Sequence, residues 1–479
     1  MLNFFDYVII LIYFLILSFI GFYFSKRQKS IDDYFKGGGR IPSWAAGISI
    51  FGTVLSPITF LAIPAKTYST DWLYFIFNIT IFLVAPIIIY LFIPFYRKLN
   101  ITTAYEYLEK RFNVYIRLIG SICFIIYQIG RIGIVLFLPS LALNLIIGID
   151  IFFCISIIGI ISLVYTLIGG IEAVIWTDVM QVIILLGGVI ISIFVIITSI
   201  DGGIIKIIEI ANLDGKFKTF DFSFSLNHPT IWVMLIGGIF TNITTYGTDQ
   251  TIVQRYLVTK TKDDAKKSIW INAITSIPAS FIFFFVGTAL YVFFKLNPKE
   301  LNEKFISNDA IFPWYIITQL PEGISGVLIA AILAAAMSSL SSSMNSASSS
   351  YINDIHKRFF QKNIIKSLRT SRQSTFIIGL MGISFAFFLM SNDLKSLWDE
   401  FNKILGLIIG GLGGVFLLGV LTKKANSLGV LLGLIFSFII QFFVVKYKVT
   451  HLLMYTATGV ISSFILGYFF SLFRFSKNN

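Results

Sequence analysis

Gly52-Thr53-Val54-Leu55-Ser56-Pro57-Ile58-Thr59 lies in the middle of an apolar run, 44–65, that is long enough to cross a bilayer. It cannot be one continuous helix. Pro57 has no N–H to donate to the carbonyl of Thr53, and its ring crowds that turn. A backbone break at membrane depth is tolerated only where it lies against protein or lines a cavity. Five apolar stretches later a second run is interrupted: Gly237-Gly238 is followed by Asn242-Ile243-Thr244-Thr245-Tyr246-Gly247-Thr248-Asp249, too polar and glycine-rich for a lipid-facing helix. A simple proline kink is the plain alternative for the first break alone. Two breaks at matching places in two halves point instead to an inverted-repeat transporter, with its ligands held where helices unwind. Freed carbonyls suit a cation there, and half-helix N-termini suit an anion.

Composition agrees. Of 479 residues, 56% are hydrophobic and only 13% charged, and the mean hydropathy is +0.86. A water-soluble fold of that composition would expose far too much apolar surface. Apolar runs near the length needed to cross ~30 Å of hydrocarbon recur along the chain. They predict an all-α polytopic membrane protein of about 13 transmembrane helices in one transporter domain, 1–479. It divides into a leading helix 4–25, a first repeat 44–199, a second repeat 231–421 and two C-terminal helices 428–473. The leading helix carries Asp6, has no basic residue ahead of it and lacks a small-residue cleavage site, so it is expected to be retained. Cys123 and Cys154 fall inside predicted helices and read as free thiols.

The basic residues set orientation. With the N-terminus outside, 25 of the 37 Lys and Arg fall on inner segments, among them Arg255, Lys362, Lys366, Arg474 and Lys477, against 11 outside and Arg131 within the membrane. The positive-inside rule then places the C-terminus in the cytoplasm. The net charge of +13 is a topology signal whose partner is lipid, with no case for nucleic acid.

Polar groups inside the apolar runs are the candidate site residues. Ala335, Ser338, Ser339 and Ser342 recur at i, i+3, i+4 and i+7, and Ser341 joins their edge, so a helix aligns them in one stripe. Close packing by small residues explains any one serine; a ladder of them asks for a polar neighbour or an ion. Arg131, midway along its stretch, costs roughly 2.5–3.5 kcal/mol to insert on translocon scales. Its planar fork matches a carboxylate, which makes an anionic substrate the functional reading. A fixed pair with Asp178 or snorkelling is the structural one. Asp178 either enjoys a helix N-terminus or ligates a hard cation beside the serines.

Asp33-Tyr34-Phe35 with Gly37-Gly38-Gly39-Arg40, Thr103 to Phe112, Gly169 to Asp178, Thr248-Asp249-Gln250 with Gln254-Arg255-Tyr256-Leu257, and the serine ladder through Asp354-Ile355 together resemble the sodium:solute symporters. The likeness runs in order from about Asp33 to Phe359. Gly37 to Arg40, Ile63 to Thr67 and Arg131 are similar to the bacterial sialic acid symporters within that family. The resemblance implies a LeuT-type fold of two inverted five-helix repeats and alternating access driven by one or two Na+ ions.

It also implies sites. The main sodium site would use carbonyls of Gly52, Leu55 and Ala335 with the hydroxyls of Ser338 and Ser339. A second would use Asp178 with Ser338, Ser341 and Ser342. Ser56, Thr59, Asn78 and Arg131 would bind the substrate, with Asn242 and Thr245 at pocket-lining positions. Asn78 replaces a longer amide, and Pro57 an alanine, of those relatives. The Gly-rich stretch Gly406, Gly410, Gly411, Gly413, Gly414 reads first as close helix packing and second as a flexible gate.

The function expected on this reading is sodium-coupled import of a carboxylated sugar, sialic acid first, across a bacterial inner membrane by a chain that works as a monomer. A monocarboxylate, vitamin or neutral-sugar symporter is the alternative within the family. A sensor module, a channel and an enzyme fit less well, because no output domain follows the last helix and no nucleophile, base or metal motif is assembled.

Overall fold

The computed structural model describes residues 3–99, 101–301, 310–360, 367–391 and 397–473; Lys362, Lys366, Arg474 and Lys477 lie outside them. α1 is Phe4–Ser25, α2 Ser43–Val54, α3 Pro57–Ser69, α4 Phe75–Leu99, α5 Val114–Ile147, α6 Ile151–Thr198, α7 Ile231–Thr248, α8 Gln250–Leu257, α9 Lys262–Leu296 and α10 Ile324–Ser350. α11 spans Ser367–Met390, α12 Phe401–Leu421, α13 Ser427–Tyr447 and α14 Tyr455–Leu472. The fold is the expected all-helical one.

Among the described residues, ten helices are long and apolar enough to cross a membrane, or eleven if α2 and α3 are one span bent by 58°. The sequence expectation of about 13 is looser than this. The 48 residues of α6 are two helices joined at a kink at Gly170, whose angles (φ 59°, ψ −164°) are not helical. A side chain at Gly170 would be strained in that conformation and would press on the Tyr34 carbonyl. α7, diluted by Thr241, Asn242, Thr244 and Thr245, falls outside the set.

Both breaks occur, the first for the reason expected. α2 stops at Val54, Leu55 is non-helical (φ −75°, ψ 90°), and Pro57 opens α3 at its first position, where its missing N–H costs nothing. In the second run the break falls at Asp249 (φ −72°, ψ 116°), which ends α7 and caps α8. Gly237-Gly238 lies inside regular α7.

α10 is buried almost end to end and packs on α6, α5 and α1. Asp6 ties the leading helix to it. The carboxylate is buried; its Oδ1 accepts from the N–H groups of Gly323 and Gly326 at the start of α10, and Oδ2 accepts from Asn3 N–H in a capping box. One acid thereby satisfies the open ends of two helices. The outward faces of α1, α6 and α13 carry exposed Phe, Ile and Leu, as lipid-facing surfaces do.

Candidate functional site at the two helix breaks

Pro57 leaves the Thr53 carbonyl without its helical donor, and other groups take it. Arg131 Nη2 donates to it at 2.7 Å and Ser339 Oγ at 3.4 Å. One residue earlier on each helix, Ser338 Oγ donates to the carbonyl of Gly52 (3.0 Å), and it also reaches the Ala335 carbonyl (3.2 Å). The serine ladder of α10 therefore faces the unwound end of α2. It brings together two carbonyls and two hydroxyls of the expected main sodium set, with Leu55 at the break itself.

Beside this cluster lies Asp178, wholly buried on α6. Its Oδ2 accepts from Ser49 Oγ at 2.5 Å and from Arg255 Nη2 at 2.9 Å, while Oδ1 has no hydrogen-bond partner among the described residues. Arg255 Nη2 also donates to Ser342 Oγ, and Ser342 Oγ lies 3.3 Å from Thr53 Oγ1. Ser341 Oγ donates to the Ser338 carbonyl at 3.1 Å. Arg255 is the correction here. Counted from sequence among the inner loop residues, it is fully buried, because α8 packs against α2 and α10 and delivers it to Asp178. The Arg131–Asp178 pair held open as an alternative does not form; Asp178 is taken by Arg255 and Arg131 by Thr53.

A cavity of about 150 Å³ opens next to Arg131, lined in part by Ser56, Thr59, Asn78, Thr245, Asn242 and Asp249. All four expected substrate residues reach it. Ser56 is the N-cap of α3 yet makes no side-chain cap bond, so its hydroxyl and the first N–H groups of α3 stay available to an anion. Asn78 spends its amide on the Tyr74 carbonyl, and Asn242 donates to Thr80 Oγ1.

Tyr127, Ser276, Ser280 and Asn402 also line the cavity. Sequence reading missed them, since a lone serine or tyrosine in an apolar helix carries no signal of which way it faces. The glycines of α12 pack. A Cβ on Gly413 would sit 2.5 Å from Thr244 Oγ1, which fixes α12 tightly against α7.

The sequence model of the Sodium:solute symporter family matches residues 34–437. The chain is 40% identical over 465 residues to the Sodium/sialic acid symporter NanT of Aliivibrio fischeri, covering 97% of this chain and 92% of that protein. It is 40% identical over 440 residues to the Sodium/sialic acid symporter SiaT of Proteus mirabilis, covering 91% and 88%. Its structure is similar to that of a Na+-coupled sialic acid symporter in a substrate-bound, outward-open state, with a TM-score of 0.93, 38% identity and 98% of each chain covered.

Proposed function

Because the chain belongs to the sodium:solute symporter family, we propose that it imports sialic acid by coupling the sugar to the inward flow of Na+. The observation that carries this reading is the cavity. A guanidinium and an uncapped helix N-terminus converge on it, and a carboxylate accepts from both at once. Hydroxyls and amides from Thr59, Asn78, Asn242 and Thr245 surround that point, which suits a polyhydroxylated acid better than a small apolar one. The likeness to sialic acid symporters supports the same choice.

Sodium belongs at the serine ladder. Gly52, Leu55 and Ala335 supply carbonyl oxygens and Ser338 and Ser339 supply hydroxyls, a hard neutral set fit for a monovalent cation. The Asp178 oxygen without a partner, with Ser338, Ser341 and Ser342 nearby, supports a second ion. Arg255 shares Asp178 and Ser342, so the second ion competes with that guanidinium and binds more weakly than the first. The α2–α3 break belongs to both functions: Thr53 holds Arg131 while Gly52, one residue before it, faces Ser338. A cation that fixes the break therefore prepares the anion site, and by linkage the anion tightens the cation.

One chain holds every group named, which supports a monomer as the working unit in the bacterial inner membrane. The charge bias supports an outer N-terminus and a cytoplasmic C-terminus. Calorimetric titration of the detergent-purified protein with N-acetylneuraminate tests the assignment. Binding in NaCl and none in KCl is expected; equal binding in both salts would overturn the coupling.

A further inference from the structure

Arg131 is the only base and Asp249 the only acid among the residues lining the cavity. Asp249 is 3% exposed. Its Oδ1 accepts from the Thr251 N–H at 2.7 Å and from Gln128 Nε2 at 3.4 Å, while no hydrogen bond of its Oδ2 occurs among the described residues. Gln128 precedes Arg131 by three residues on α5, so the two side chains share a face and Arg131 lies one turn from the group that touches Asp249. Arg131 is also short of partners: one Nη is held by Thr53, and Nε has none among the described residues. The other buried pair at the site, Asp178 with Arg255, is already closed. An acid in a pocket for an acid repels its ligand and calls for another use.

We propose that Asp249 is the resting counter-charge of Arg131: when the cavity shuts without substrate, the Asp249 carboxylate takes the guanidinium that the substrate carboxylate holds in the loaded carrier. This rests on Arg131 being the carboxylate site. A transporter must reorient empty after each delivery, and closing a dry cavity on an unpaired guanidinium is costly. Asp249 sits at the break between α7 and α8, where a change of backbone angle swings its side chain without disturbing either helix. With the cavity open, as here, it rests instead on Thr251 and Gln128. Asp249 is thus a positioning residue for the return step.

The test compares two modes of uptake of labelled N-acetylneuraminate under a sodium gradient. Net uptake into empty proteoliposomes requires the empty carrier to return; counterflow into vesicles preloaded with unlabelled substrate and Na+ does not. Asp249→Asn keeps the cap on Thr251 and removes the charge. It should lower the ratio of net uptake to counterflow about tenfold and lower KM, since a competitor for Arg131 is gone. Asp249→Ser, which also caps, serves if the Asn protein does not fold. Equal loss in both modes, or no loss in either, overturns the proposal. Wild-type protein inactive in both modes would instead overturn the sialic acid reading on which it rests.

Discussion

Arg255 Nη2 and Asp178 Oδ2 stand 2.9 Å apart, both side chains fully buried, and join α8 to α6 beneath the serine ladder. The pair lies within reach of Ser49 and Ser342 and of the break that separates α2 from α3. It holds the second broken helix to the first repeat while leaving one carboxylate oxygen open. On the proposed second sodium site, structure and ion binding would share one acid.

Removing the cation should hurt more than removing the acid. Arg255→Met leaves the buried Asp178 without its counter-charge and with Ser49 as its remaining donor, at about 3–5 kcal/mol. Thermal unfolding in detergent should show a clear loss. Asp178→Asn keeps an acceptor for Arg255 and should unfold nearer to wild type, while the sodium dependence of its uptake becomes less cooperative. An unchanged Hill slope in a cooperative wild type would remove Asp178 from the sodium sites.

Ser338→Ala with Ser339→Ala deletes both hydroxyls that meet the carbonyls of Gly52, Ala335 and Thr53. Hydrogen-bond-scale losses at a charged ligand predict a rise of about tenfold or more in the sodium needed for half-maximal uptake. Sodium titration of initial rates checks this. An unmoved midpoint would put the main ion elsewhere.

Arg131→Ala should abolish uptake of a carboxylated sugar. Arg131→Lys keeps the charge and loses the planar fork, so it should transport with KM raised about ten- to a hundredfold. Full activity of the Ala variant would remove the carboxylate role.

His451, just before α14, is held at a pKa of about 4 by burial first, then by the charges of Lys66 and His228. Its Nδ1 accepts from the Leu453 N–H, its backbone N–H donates to Leu226, and its ring lies against Tyr74. A lowered folded-state value means that the unfolded chain binds the proton first. Stability from this contact is therefore complete above pH 6.5 and falls as pH drops towards 4. Melting curves across that window should show the fall, and His451→Gln should flatten it.

The two breaks were legible because proline chemistry and buried polarity are local properties of the chain. Pro57 announced the freed Thr53 carbonyl, and the spacing of Ser338 and Ser339 announced the face that meets it. Arg131 stood out because an isolated intramembrane charge is expensive. Arg255 did not, because it sits beside a basic loop and only the packing of α8 against α2 and α10 buries it. Asp249 belonged to a recognised motif, yet its place in the cavity depends on how α7 and α8 meet α5. Tyr127, Ser276 and Asn402 needed helix rotation, which an all-apolar periphery does not encode.

Purified protein in proteoliposomes decides whether sodium drives accumulation. Labelled N-acetylneuraminate should rise inside above its external concentration under an inward Na+ gradient, and should only equilibrate slowly or stay out when K+ replaces Na+. Accumulation that is the same in both salts, or absent in both, would contradict the account.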